Sequence, residues 1–111
     1  MKIKLTTIHP DGRTAEETVE GEDIALERVR EIVGGWAQEL PRPEVRPWRS
    51  RARAVTLRTS KYSATVIAYV NEDGRMFGLE RNDPGMEATG WPADMPGHEL
   101  VGNVVVAEYL T

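Results

Sequence analysis

The feature that most constrains the fold is a single segment with helical periodicity in a chain whose other regular patterns are those of strands. Apolar residues recur at spacings of three and four between Ala25 and Val33, which places them on one face of a helix. Asp23 is the predicted N-cap of this helix. Gly34-Gly35 follows the last apolar position, where glycine adopts the left-handed conformation that ends a helix. One main helix is therefore expected.

Six other segments have the alternation or the β-branched composition of strands. They are Lys2 to Ile8, Thr14 to Val19, Ala54 to Arg58, Tyr62 to Val70, Arg75 to Glu80 and Leu100 to Leu110. Turn signals at Asp11-Gly12 and Asp73-Gly74 predict two hairpins. Residues 81 to 97 contain three prolines and three glycines without a period, so they are predicted to form a long loop. The fold class that follows is α+β, a small, mostly antiparallel sheet packed against one main helix.

The length of 111 residues suits one domain, since two domains would each be too small to bury a core. The absence of cysteine excludes disulfides, thiolate zinc ligands and a cysteine nucleophile. The first five residues lack the apolar core of a signal peptide, and no stretch approaches the roughly 18 apolar residues of a membrane span. These observations predict a cytoplasmic protein without membrane contact. An open edge in so small a sheet would favour a homodimer.

The net charge of -4 conceals three blocks of opposite sign. Residues 11 to 39 carry a net charge of -6, residues 42 to 61 carry +6, and residues 71 to 108 carry -6. The basic block begins among three prolines, which exclude a helix or a central strand there. An extended, arginine- and proline-rich insertion is therefore predicted over about residues 41 to 61.

This basic block is the main candidate for ligand or partner binding. Guanidinium groups bind phosphate through two hydrogen bonds, and an aromatic ring stacks on a nucleobase. An alternative is that the flanking acidic blocks neutralise the insertion, within the chain or between subunits. The candidate residues are Arg42, Arg46, Trp48, Arg49, Arg51, Arg53, Arg58 and Lys61.

A second candidate is an apolar set in the long loop, formed by Met86, Trp91 and Met95. Exposed apolar residues of this kind commonly mark a surface that binds a partner. The alternative is that the loop folds back and covers the sheet.

Patterns of catalytic or metal-binding residues are not found. His9 and His98 have no second histidine or acid at a zinc spacing, and no serine lies in a Gly-x-Ser-x-Gly setting. Acids that are adjacent in sequence do not share a face of a helix or strand. The sequence therefore predicts a protein without a metal site, a cofactor or enzymatic activity. An enzyme would have to use scattered polar residues such as Asn71, Asn82 and Asn103.

The order of several short motifs resembles a family of small proteins from phages, plasmids and actinobacterial or firmicute genomes, classified as a domain of unknown function. The matching motifs are Val33-Gly34-Gly35-Trp36, Val70-Asn71-Glu72-Asp73-Gly74, Gly78-Leu79 with Asn82, and Leu100-Val101-Gly102-Asn103-Val104-Val105. The resemblance implies a phage or mobile-element origin and a short strand from Trp36, where the pattern alone also allows a fraying helical turn. It implies no catalytic residue, and the insertion departs from the family pattern.

The predicted function is therefore that of a non-enzymatic binding protein. It would be a phage or mobile-element accessory factor in the host cytoplasm, acting in host interference or anti-defence. It would occupy a host protein or sequester a small anionic ligand. The first alternative is a nucleic-acid-binding module that uses the basic block, and the second is an enzyme of unknown class.

Overall fold

A computed structural model describes residues 1–40, 66–91 and 99–110. In order, its elements are β1 (Lys2–Ile8), β2 (Thr14–Glu20), α1 (Glu22–Val33), β3 (Ala37–Glu39), β4 (Val66–Asn71), α2 (Asp83–Thr89) and β5 (Val104–Tyr109). The strands form one sheet in the order β2-β1-β5-β4-β3, and every neighbouring pair is antiparallel. The predicted α+β fold is confirmed. The basic insertion and the predicted strand from Ala54 to Arg58 lie outside the described residues.

The β1–β2 hairpin forms where the sequence predicts it. The backbone N–H of Gly12 donates to the carbonyl of His9 at 2.9 Å, and the N–H of His9 donates to the carbonyl of Arg13 at 2.9 Å. Gly12 has a φ of 92°, which a residue with a Cβ adopts only with strain. The turn therefore depends on this glycine.

One face of the sheet is covered by α1. The helix buries Ala25, Val29 and Val33 against residues of the central strands, as its periodicity predicts. Its first residue is Glu22 and its N-cap is Gly21, so the prediction of Asp23 as N-cap is wrong. Asp23 instead lies in the first turn, where a carboxylate interacts favourably with the positive end of the helix dipole.

The predicted glycine end of α1 is confirmed. Gly34 has a φ of 83° and donates from its backbone N–H to the carbonyl of Arg30 at 2.9 Å. The chain then forms a short strand, β3, as the family resemblance implies. The glycines thus close the helix and turn the chain towards the edge of the sheet.

The opposite face of the sheet is covered in part by α2, within a segment predicted to be loop. Asn82 caps this helix by accepting a hydrogen bond from the N–H of Gly85 at 2.7 Å, and Pro84 lies in the first turn, where its missing N–H is not needed. The loop prediction is therefore wrong for Asp83–Thr89. The core on this side contains Ile8, Leu40, Val70, Met86, Leu100 and Val104.

The predicted strand from Arg75 to Glu80 is also wrong. After β4 the chain forms consecutive turns instead, because the side-chain oxygen of Asn71 accepts from the N–H of Asp73 at 2.8 Å and its carbonyl accepts from Gly74 at 3.2 Å. These bonds bend the chain away from the direction of the sheet. Only Arg81 forms a bridge, with Val101.

The sheet has two distinct ends. The end that we call the turn end contains the β1–β2 turn, the C-terminus of α1, the turns after β4 and the residues that precede β5. The opposite end, which we call the insertion end, contains the N-terminus of α1 and the points where the chain leaves β3 and enters β4. In the part of the chain that the structure describes, neither helix is long and apolar enough to cross a membrane.

Candidate functional site

The predicted basic site cannot be placed, because Arg42, Arg46, Trp48, Arg49, Arg51, Arg53, Arg58 and Lys61 all lie outside the described residues. The described residues on either side of the insertion belong to β3 and β4. The N–H of Leu40 donates to the carbonyl of Ala68 at 2.8 Å, and Glu39 lies opposite Tyr69 in the antiparallel β3–β4 pair. The last described residues before the insertion and the first described residues after it therefore lie on neighbouring strands.

The insertion end combines acids with two tyrosines. Burial raises the pKa of Tyr69 well above its ordinary value, and the negative charge of Glu39 raises it further. Burial and the charge of Glu22 likewise raise the pKa of Tyr109, and the two hydroxyl groups share a hydrogen bond. Both phenols are therefore neutral in the folded protein at physiological pH.

The net charge of the chain outside the basic insertion is strongly negative. The whole chain carries -4 and residues 42 to 61 carry +6, so the rest of the chain carries -10. The basic insertion is thus attached to an acidic body, which is the arrangement that the neutralisation alternative requires.

The turn end is organised by three asparagines, the residues that an enzyme hypothesis would have used. Asn82 is fully buried, and its amide nitrogen donates to the carbonyls of Ile8 at 2.8 Å and Gly102 at 2.7 Å. Its amide oxygen accepts from Gly85 as the cap of α2. One side chain therefore joins β1, α2 and the segment before β5.

The other two asparagines hold the C-terminal end of α1. Asn71 is buried and donates to the carbonyl of Val33 at 2.9 Å, while Asn103 donates to the carbonyl of Ile32 at 3.0 Å. These carbonyls belong to the last turn of the helix, where no N–H of the helix itself remains to bond them. The asparagines therefore fix the helix to the sheet.

His9 belongs to the same network. Its Nδ1 lies 3.0 Å from the side-chain oxygen of Asn103. Because the carbonyl of Ile32 only accepts, the amide nitrogen of Asn103 must face that carbonyl and its oxygen must face the histidine. Nδ1 of His9 therefore carries a proton and donates it in this bond. This network ties the β1–β2 turn to the end of α1.

Sequence reasoning did not identify the roles of these amides, since each bonds to a backbone group that is distant along the chain. The sequence singled out these three asparagines only as scattered polar residues that an enzyme would have to use. Among the described residues no group of three or more histidines, cysteines or acids has the geometry of a metal site.

The turn end also exposes large apolar side chains that the sequence did not single out. Trp36 is 64% exposed, Met76 is 80% exposed and Phe77 is 62% exposed. The N–H of Glu72 donates to the carbonyl of Trp36 at 2.8 Å, so the turns carrying Met76 and Phe77 begin beside the tryptophan. We call Trp36, Met76 and Phe77 the apolar tip.

Arg30 covers part of the apolar tip. Its guanidinium carbon lies 5.0 Å from the centre of the Trp36 ring, within the range of a cation–π interaction. Since the tryptophan remains mostly exposed, the arginine orients the ring without burying it.

The loop residues predicted as an alternative partner surface have a different position. Met86 lies on the buried side of α2 and is 1% exposed, so it is not part of an exposed surface. Trp91 is half-buried and packs against the same core, and Met95 lies outside the described residues. For Met86 and Trp91 the structure supports the alternative in which this segment covers the sheet. The cause is α2, which turns Met86 inward.

Comparison with known proteins does not assign the chain. No family model, no curated protein and no solved structure matches it.

Proposed function

We propose that this chain is a non-enzymatic binding protein whose apolar tip occupies a partner protein. In the biological setting suggested by the family resemblance, it is a phage or mobile-element accessory factor and its partner is a protein of the host cytoplasm. The observation that carries the proposal is the exposure of Trp36, Met76 and Phe77 on one end of a small sheet.

Aromatic residues and methionine are the types enriched in the cores of protein interfaces. Tryptophan is also among the residues whose loss costs the most binding energy. The apolar tip combines these residue types on a short connection and on turns, outside the sheet itself. Such side chains enter a pocket of a partner without disturbing the fold that carries them.

The asparagine network supports the proposal because it makes the region beside the apolar tip rigid. The amides of Asn71, Asn82 and Asn103 bond to backbone groups, which gives each of them a structural role. The network also holds the ends of the elements beside the apolar tip in a fixed position. A rigid presentation of this kind lowers the entropy cost of binding.

The test is capture of host proteins by the immobilised chain, comparing the double variant W36A/F77A with wild type. The control is Ile24→Ala, because Ile24 is 57% exposed but lies at the insertion end. We expect one protein to be captured by wild type and by I24A in equal amounts, and by W36A/F77A at least about tenfold less. Equal capture by all three chains would refute the proposal.

Nucleic-acid binding is the second candidate, supported by the +6 charge of residues 42 to 61. Six or seven neutralised phosphates would make the affinity fall steeply with salt concentration. Replacing Arg49, Arg51 and Arg53 with alanine should then abolish oligonucleotide binding. No binding of wild type to single- or double-stranded oligonucleotides at low salt would exclude this function. Binding of a small anionic ligand, the remaining alternative, would persist without the apolar tip.

A further inference from the structure

We propose that two copies of this chain join through strand β2, edge to edge and antiparallel, so that their sheets become continuous. In the described part of the chain β2 pairs only with β1. It is seven residues long, has no proline and pairs one to one with β1 without a bulge. The other edge strand, β3, has three residues. The edge at β2 thus lacks proline and bulges, two of the features that proteins use to prevent pairing.

The backbone groups that would form the new ladder follow from the hairpin. Gly21 donates to the carbonyl of Met1 at 3.0 Å at one end of the hairpin, and His9 donates to the carbonyl of Arg13 at 2.9 Å at the other. Hydrogen-bonded and non-hydrogen-bonded pairs alternate in an antiparallel ladder. The odd-numbered residues of β2 therefore direct their backbone groups to β1. The even-numbered residues, whose backbone N–H and carbonyl groups point to the open edge, are Thr14, Glu16, Thr18 and Glu20.

One register of two β2 strands uses all four of these residues. It places Thr14 opposite Glu20 of the second copy and Glu16 opposite its Thr18, with a two-fold axis at Glu17. Shifting the register by two residues in either direction leaves three hydrogen-bonded pairs instead of four. The number of hydrogen bonds therefore selects this register.

The side chains on the other face of β2 agree with this register. Ala15 lies opposite Val19 of the second copy, which gives an apolar pair. Glu17 meets its own copy at the axis, but each Glu17 carboxylate accepts a hydrogen bond from Nε of Arg28 in its own chain at 2.8 Å. Both negative charges at the axis are therefore already paired with a cation.

Cysteine cross-linking tests the register directly, because the chain contains no cysteine of its own. In Glu17→Cys the two thiols face each other across a non-hydrogen-bonded pair, whose Cα separation of about 4.5 Å lies within the disulfide range. In the control Thr14→Cys the two thiols are six residues apart along the strand, roughly 20 Å. We expect mild oxidation to link E17C into covalent dimers and to leave T14C monomeric on a non-reducing gel. Equal linking of the two variants, or linking of neither, would overturn the proposal.

Sedimentation equilibrium of the intact chain gives an independent test. Thr18→Pro removes an N–H that points to the open edge and takes part in no β1–β2 hydrogen bond, so we expect the monomer to fold. The dissociation constant of the dimer should rise about tenfold or more, because one hydrogen bond between the two copies is lost. Circular dichroism verifies the fold.

Should T18P not fold, Thr14→Lys is expected to strengthen the dimer and Thr14→Glu to weaken it, each about threefold, through Glu20 of the second copy. A monomeric wild-type chain at every concentration, a folded T18P with an unchanged dimer, or equal constants for T14K and T14E would overturn the proposal.

Discussion

The two ends of the sheet are stabilised by different chemistry. At the turn end, asparagine amides bond to backbone groups of loops and of a helix terminus, and Asn82 alone forms three such bonds. At the insertion end, two tyrosines bond to each other beside Glu22 and Glu39. An amide carries no charge and both donates and accepts, so it satisfies irregular backbone at any pH. The bonds from the asparagine amides to the backbone at the turn end should therefore be insensitive to pH and sensitive to side-chain truncation, whereas the tyrosine pair at the insertion end should respond to alkaline pH.

The largest effect is expected for Asn82→Ala. The substitution leaves two buried carbonyls and one buried N–H without their partner, and we expect the free energy of unfolding to fall by about 3 kcal/mol. Urea unfolding followed by tryptophan fluorescence measures this change. The matched control is Asn103→Ala at the same end, which is half-buried, so that water replaces the lost bonds at a cost of about 1 kcal/mol. Equal losses for the two variants would mean that burial does not govern the strength of this network.

The pH dependence of stability above pH 10 should come from the tyrosine pair at the insertion end. Burial raises the pKa of Tyr69, so the unfolded chain loses its phenolic proton first as the pH rises above about 10, and the folded state is then destabilised. This contribution to stability is fully present below pH 10 and disappears above it.

The variant that isolates this contribution is Tyr69→Phe. It should cost about 1 kcal/mol at neutral pH, where the hydroxyl bond to Tyr109 is lost, and it should make the decline above pH 10 shallower. Unfolding curves at several alkaline pH values, with phenolate absorbance followed in parallel, measure both effects. If the free energy of unfolding of Y69F fell with pH above 10 as steeply as that of wild type, Tyr69 would not be the source of the alkaline effect at the insertion end.

The smallest effect on stability is expected at the apolar tip. Trp36→Ala removes a mostly exposed side chain and one cation–π contact with Arg30, worth at most about 1 kcal/mol. Urea unfolding should therefore place this variant close to wild type, which would mark Trp36 as a surface residue without a large role in the fold. A loss as large as that of N82A would assign the tip to the core of the turn end instead.

The regular elements with a strong local pattern were predictable. The alternation of β1, the Asp11-Gly12 turn and the period of α1 each depend on neighbouring residues, and the structure confirms all three. The glycine end of α1 followed from the position of Gly34 after the last apolar residue. Local sequence was sufficient because the decisive interactions are local.

The errors arose where one polar side chain redirects the backbone. Asn82-Asp83-Pro84-Gly85 has the composition of a turn, yet the cap formed by Asn82 makes it the first turn of a helix with only Gly85 and Met86 buried. Such a short helix has no period to detect. In the same way Asn71 bends the chain after β4, where a hairpin strand was expected.

The candidate site was less predictable than the fold. The basic residues were found from composition, but they lie outside the described residues. The apolar tip was missed because Trp36 and Phe77 are far apart in sequence and neither belongs to a motif with a known chemistry. They lie at the same end of the sheet because the β3–β4 pairing places Ala37 opposite Asn71.

The position of β5 in the sheet means that the sheet cannot be completed before β5 has been synthesised. β5 follows every other described strand along the chain but lies in the middle of the sheet, between β1 and β4. While the ribosome is still adding the residues that precede Val104, the β1–β2 hairpin and the β3–β4 pair have no strand to join them. Each then presents an unpaired inner edge that is prone to wrong association. Residues 104–109 therefore join the two parts of the sheet, and we expect a chain that ends before them to aggregate.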